Sequence, residues 1–174
     1  MQISSDASNK LKFGRFSGYR FDQNGNVRNW WSRIDLNHFW KKATCVLKQY
    51  SSYVVAQLGS NINVNGDLTL GENIADNGGL KESFRAYKKL KARTGPQPAL
   101  PGLEQYTDEQ LFFLGFAQVN RAFIGTPQAL IKKDPHAPNR YRVIGTLQNN
   151  EAFAKAWNCP SDSPMTPKQR CTVW

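Results

Sequence analysis

"LGENIADNGGLKESFRAY", residues 70–87, places two acids, Glu72 and Asp76, four positions apart and follows them with the glycine pair Gly78-Gly79. The pattern predicts a helix from about Leu70 to Arg93, closed by Gly95-Pro96, because glycine just past the last turn and proline beyond it stop helices. Residues four apart share a helix face, so both carboxylates can point into one site. Two readings stay open at this level. Thr69 and Glu72 match the Thr-x-x-Glu capping box, in which Glu72 only ties off the helix start and Asp76 is a solvated side chain. Alternatively, one carboxylate binds a metal while the other accepts the free N–H of a metal-bound histidine and fixes its ring. The glycine pair would then let a facing element come close, at about 1 kcal/mol each in helix stability.

Upstream, Leu36, Phe39, Trp40, Ala43, Val46, Leu47 and Tyr50 recur at three and four, which predicts an amphipathic helix from Asp35 that carries Cys45. Between the two helices "NINVNGDLTL" (61–70) alternates apolar residues about Asn65-Gly66, the signature of a small β-hairpin. "GPQPALPGL" (95–103) is a loop. Thr107 and Gln110 form a capping box that opens the apolar helix "EQLFFLGFAQVNRAF" (109–123), and Thr126-Pro127 starts another short one. "RYRVIGTL" (140–147) reads as a short extended segment, and Asn149 as the cap of a last helix, "NEAFAKAW" (150–157). "FDQNGNVRNWW" (21–31) is turn-rich. Its Asp22, Asn24, Asn26 alternation copies only the opening of a calcium loop, since the glycine position is Val27 and the twelfth is Arg33. The expected fold is mainly α with one small β-hairpin, in a chain of one-domain size.

The formal charge of +10 raises nucleic acid or an acidic membrane as partners, but its distribution argues against both. The bases of residues 1–50 are scattered, and the one cluster, Lys88, Lys89, Lys91 and Arg93, closes a predicted helix, where cations complement the macrodipole. No apolar run reaches the roughly 18–20 residues of a spanning helix, and "MQISSDASNKLK" lacks the apolar centre of a signal peptide. Three cysteines, Cys45, Cys159 and Cys171, leave one without a partner if two pair.

"NVNGDLTLGENIADNGGLKESFRAY" closely resembles the zinc-ligand motif of the neprilysin and endothelin-converting-enzyme family of zinc metallopeptidases. "GYRFDQNGNVRNWW", "CVLKQYSSYVV", "DPHAPNRYRVIGTLQNNEAFAKAWNC" and "MTPKQRCTVW" resemble further family blocks in family order, so the likeness runs from Gly18 to Trp174 and leaves residues 1–17 unmatched. The resemblance implies the C-terminal part of a thermolysin-like zinc metallopeptidase catalytic domain that hydrolyses peptide bonds with zinc-activated water. It makes Glu72 a zinc ligand and Asp76 the acid that orients a zinc-binding histidine. It makes His136 a donor to the oxyanion formed on the peptide carbonyl, and Arg142 a contact to the substrate backbone. It pairs Cys45 with Cys171 and gives Cys159 a partner further towards the N-terminus. His38 matches no family ligand and is expected on the surface or in helix packing.

The same resemblance shows a gap. The family chemistry needs His-Glu-x-x-His, whose histidines bind zinc and whose glutamate is the general base. The sequence has two histidines, His38 and His136, and no such motif. Where the family commonly reads Gln-Val-Trp-Cys, this chain has "QVNR" (118–121), so another family bridge is missing. The chain alone is therefore expected neither to hold zinc nor to cleave peptides, the alternative being a family member that binds peptides or proteins without cleaving them. Family resemblance also implies peptide substrates, a missing N-terminal part of the peptidase domain as partner, and an extracellular or cell-surface setting, while the charge distribution leaves no nucleic acid partner expected.

Overall fold

The structure, a computed structural model, describes residues 21–59, 61–95, 97–120 and 132–173. The expected unmatched segment 1–17, the short helix at Thr126-Pro127 and Trp174 lie outside the described residues. The fold is carried by α1 (Arg33–Ser51), α2 (Leu70–Thr94), α3 (Asp108–Val119), α4 (Asn139–Gln148) and α5 (Glu151–Ala156), with a short 3-10 turn at Ala56–Leu58. No helix among the described residues is long and apolar enough to cross a membrane.

Local chemistry starts and stops these helices. The Ser32 hydroxyl accepts from the Asp35 N–H at 3.1 Å and caps α1. Gly95, with φ +77°, ends α2 and gives its N–H to the Lys91 carbonyl at 2.9 Å. Thr107 and Gln110 form both bonds of the capping box at the start of α3, as the sequence predicts. The basic end of α2 is more than a solvated helix end: Lys88 pairs with Glu109, and Lys91 with Asp108 at 2.7 Å. Both acids sit in the first turn of α3, so the cations answer the end of one helix and the acidic start of the next.

Two apolar clusters lie along α2. Phe39, Ala43, Val46 and Tyr50 of α1 meet Leu70 and Ile74 from the first turns of α2, together with Val55, Val64, Ala137 and the C-terminal segment. Leu80 and Phe84, further along, pack with Phe113 of α3 and Leu147 of α4. The disulfide Cys45–Cys171, with Cα atoms 5.5 Å apart, ties α1 to the C-terminal segment across 126 residues, and Lys42 Nζ donates to the Val173 carbonyl at 3.1 Å beside it. Cys159 is a half-buried free thiol, and His38 lies exposed on α1.

Three sequence expectations are corrected. The hairpin at Asn65-Gly66 is not formed: the described residues show isolated bridges and no strand, the nearest being Val54 with Asn63. Instead the Asn65 side chain accepts from the Leu68 N–H at 3.0 Å and its carbonyl from the Thr69 N–H at 3.0 Å, a turn that leads into α2. Gly66 serves close approach, because a Cβ there would collide with the Leu47 carbonyl and Ser51 at the end of α1. Second, "RYRVIGTL" is helical, within α4. Its β-branched residues favour extension, but Gly145 and Thr146 seat the segment against the Tyr50 ring, and only a helix presents them together. Third, the cap of α5 is Asn150, whose side chain accepts from the Phe153 N–H at 3.0 Å. Asn149 instead donates to Asn77 at 2.9 Å and Gln49 at 2.8 Å, and accepts from the Cys171 N–H at 2.9 Å. The Asp22 carboxylate is likewise taken up locally, accepting the N–H groups of Asn24 and Asn26.

Candidate functional site

The first two turns of α2 present Glu72 and Asp76 on one face, and the stretch 134–142 meets them there. His136 precedes Pro138, which stands at the start of α4, and Arg142 lies in the first full turn of that helix, its N–H donating to the Pro138 carbonyl at 3.1 Å. Helix α4 is held in place from below. Tyr141 stacks on Tyr53 at 4.8 Å with ring planes 9° apart, and its hydroxyl donates to the Val54 carbonyl. A Cβ on Gly145 would lie 2.6 Å from Cζ of the buried Tyr50 ring, so glycine sets how closely α4 approaches α1.

Each acid of α2 meets one partner. Arg142 grips Asp76 with two bonds, Nε to Oδ2 and Nη2 to Oδ1, both 2.7 Å. The side chains are 24% and 16% exposed, and the Asp76 carboxylate, with its hydrogen bonds first, raises the pKa of Arg142 further. His136 Nε2 lies 3.4 Å from Glu72 Oε2, with both side chains more open, at 41% and 35%. The other ring nitrogen, Nδ1, donates to Asp134 Oδ1 at 2.8 Å, and the His136 N–H donates to the same oxygen at 2.9 Å. Burial opposes ionisation of Asp134, but those two bonds and the charges of His136 and Arg142 prevail and hold it below the usual carboxylate range. With Nδ1–H committed to Asp134, Nε2 carries a proton only in the imidazolium form, and it can then donate away from Asp134.

The capping-box reading of Glu72 does not hold in this structure. Thr107, the true box residue, has the extended backbone of an N-cap (φ −72°, ψ 157°), whereas Thr69 is helical (φ −95°, ψ 0°) and its side chain caps nothing. Glu72 is therefore left to face His136. Sequence reasoning brought Glu72, Asp76, His136 and Arg142 to this place, and the structure gathers all four. It missed Asp134, whose signal was an acid two positions before the histidine in "DPHAP", close enough to bond both its backbone and its ring. It also missed the amides beside the acids. Asn77, next to Asp76, is bonded to Asn149, so the same side chain that steadies α2 holds the backbone of disulfide-bonded Cys171.

A catalytic zinc takes three protein ligands and a water. The Glu72 carboxylate, its side chain 35% exposed, suits one position of such a set. Among the described residues no three His, Cys, Asp or Glu side chains are gathered as a metal-binding group.

Comparison with known proteins gives one consistent answer. The family model "Peptidase family M13" matches residues 14–173. Neprilysin-11 of Caenorhabditis elegans is 44% identical over 159 residues, covering 90% of this chain and 18% of the relative. Membrane metallo-endopeptidase-like 1 of Homo sapiens is 46% identical over 160 residues, covering 91% and 20%. Among solved structures, the crystal structure of the Mycobacterium tuberculosis zinc metalloprotease Zmp1 in complex with an inhibitor superposes with a TM-score of 0.78 at 31% identity, over 90% of this chain and 24% of that one. The chain spans about a fifth of the length of the curated relatives it matches.

Proposed function

Because the chain belongs to peptidase family M13, we propose that it supplies the C-terminal, substrate-facing part of a zinc endopeptidase site acting on peptides. The observation that carries this reading is the pairing of two acids on one face of α2 with His136 and Arg142 from one loop–helix junction. In the proposal Glu72 is one zinc ligand, and the two histidine ligands come from an N-terminal part of the peptidase domain that this sequence does not contain. Bound zinc supplies Lewis acidity and an activated water. Asp76 accepts the N–H of a metal-bound histidine, which fixes that ring. His136, steadied through Nδ1 by Asp134, donates from Nε2 to the oxyanion that develops on the substrate carbonyl, and Arg142 donates to the substrate backbone. Preorganised donors of this kind cost nothing to orient at the moment of reaction.

An extracellular or cell-surface setting fits the Cys45–Cys171 disulfide, which persists in oxidising compartments. The 174-residue chain alone is proposed to be inactive, since its sequence has no His-Glu-x-x-His. The test combines the purified chain with a polypeptide carrying the His-Glu-x-x-His helix of a relative. The chain alone should show neither stoichiometric zinc nor peptide hydrolysis above blank, and the combination should gain both unless Glu72 is changed to Gln. Zinc binding and hydrolysis by the chain alone would overturn the proposal. Retention of peptides by the chain without cleavage in either form would favour the non-catalytic binding role.

A further inference from the structure

We propose that Thr69 and Asn73 are positioning residues that free Glu72 from the helix start and turn it towards His136. The reading follows from a comparison within the molecule. Two helices open with Thr-x-x-Glu/Gln, at 69–72 and at 107–110, and one of these forms the capping box. At Thr107 the hydroxyl accepts from the Gln110 N–H, and the Gln110 side chain returns to the Thr107 N–H. At Thr69 both halves of the box are pre-empted. The Thr69 N–H, which a returning Glu72 would need, donates to the Asn65 carbonyl at 3.0 Å. The Thr69 hydroxyl donates to that same carbonyl at 2.9 Å and accepts from Asn73 Nδ2 at 2.9 Å.

Asn73 fixes the direction of this relay. It is wholly buried, and because the Thr69 proton is already given to Asn65, only the Asn73 N–H can face the Thr69 oxygen. Asn73 Oδ1 is left buried without a hydrogen-bond partner among the described residues. A helix start built for stability would satisfy that oxygen and use the available glutamate as a cap. This start does neither, and the result is a carboxylate 3.4 Å from His136 Nε2. Forgone local stability beside a reactive side chain is where function overrides the local rules. The importance of this placement rests on the zinc-ligand role of Glu72 proposed above; the placement itself does not.

The experiment reads geometry and needs no metal. In the full 174-residue chain, cross-peaks between the Glu72 Hγ protons and the His136 ring protons are measured by NMR for the native sequence and for Thr69→Val, Asn73→Leu and Thr69→Ser. Amide shifts along α2 report whether the helix is intact. Halving or loss of the cross-peaks in Thr69→Val and Asn73→Leu with α2 intact, together with recovery in Thr69→Ser, is the expected result. Unchanged cross-peaks in either folded apolar variant overturn the proposal. It is also overturned if both apolar variants fail to fold while Thr69→Ser folds, since the pair would then serve the fold alone. Failure of the zinc reading shows separately, as no metal or hydrolysis in the reconstituted mixture while these cross-peaks behave as stated.

Discussion

Removing either partner of the Asp76–Arg142 pair should destabilise the chain well beyond a surface ion pair. Each of its two hydrogen bonds joins charged groups at 2.7 Å, the short end of the charge-assisted range. Hydrogen bonds to charged groups contribute about 1.5–3 kcal/mol, and truncating one partner of a fully buried pair costs about 3–5 kcal/mol. Side-chain exposures of 24% and 16% place this pair below full burial, so Asp76→Ala and Arg142→Ala should each cost about 2–4 kcal/mol. For a domain of this length that lowers Tm by roughly 4–16 °C, taking about 2–4 °C per kcal/mol. The decisive quantity is the coupling in a double-mutant cycle by urea unfolding, expected at about 1.5–3 kcal/mol, because the double variant leaves no unpaired charge behind. The coupling should also survive concentrated salt, since the Debye length at 1 M is about 3 Å and the charges lie in contact. A coupling under about 0.5 kcal/mol, the range of exposed pairs, would refute the view that Asp76 locks α4 onto α2.

Other perturbations test the scaffold under the site. Reduction of Cys45–Cys171, or Cys171→Ala, opens a loop of 126 residues' separation and should cost about 2–5 kcal/mol, read as a lower urea midpoint. Gly145→Ala drives a methyl into the buried Tyr50 ring and should cost about 1–3 kcal/mol by the same measurement, with α4 displaced from α1. Burial, opposed by the Gln49 amide, pushes the Tyr53 hydroxyl up to about 12 from an ordinary value of 10.0. A raised pKa gives stability that is complete below the unfolded value and lost as pH climbs to the folded one. Stability should therefore decline between about pH 10 and about pH 12, and Tyr53→Phe should flatten that decline, measured as the change in urea midpoint between about pH 9 and about pH 11.

What the sequence disclosed depended on whether the deciding interaction was local. Helix α2 was legible because its stop, Gly95, acts on its own neighbours, and the box at Thr107 because all its bonds lie within four residues. Helix α4 was misread because Val143, Ile144 and Thr146 favour strands, while the contact that decides, Gly145 on Tyr50, comes from a residue 95 positions away. Gly66 misled in the same way, since glycine permits both a tight turn and a close approach, and only α1 shows which is used. At the site, Glu72 and Asp76 could be placed on one face by helical spacing alone. That His136 and Arg142 would meet them came from family resemblance, because no local rule brings residues about 65 positions apart together.

The grip of Arg142 on Asp76 could be taken to compete with the task of orienting a metal-bound histidine, but the geometry leaves room for both. An ionised carboxylate has about four lone-pair positions over its two oxygens. Arg142 uses one on each oxygen, through Nε to Oδ2 and Nη2 to Oδ1, which does not exhaust the capacity of a carboxylate. A metal-bound imidazole N–H would then find an acceptor already held in place. At Glu72 the contact from His136 is to Oε2, at 3.4 Å. Each acid thus has one partner on the stretch 134–142, held by two hydrogen bonds for Asp76 and by a looser 3.4 Å contact for Glu72. Arg142, proposed above to contact the substrate, is held by the acid proposed to orient the zinc ligand, so on that proposal loss of Asp76 would disturb the metal side and the substrate side at once.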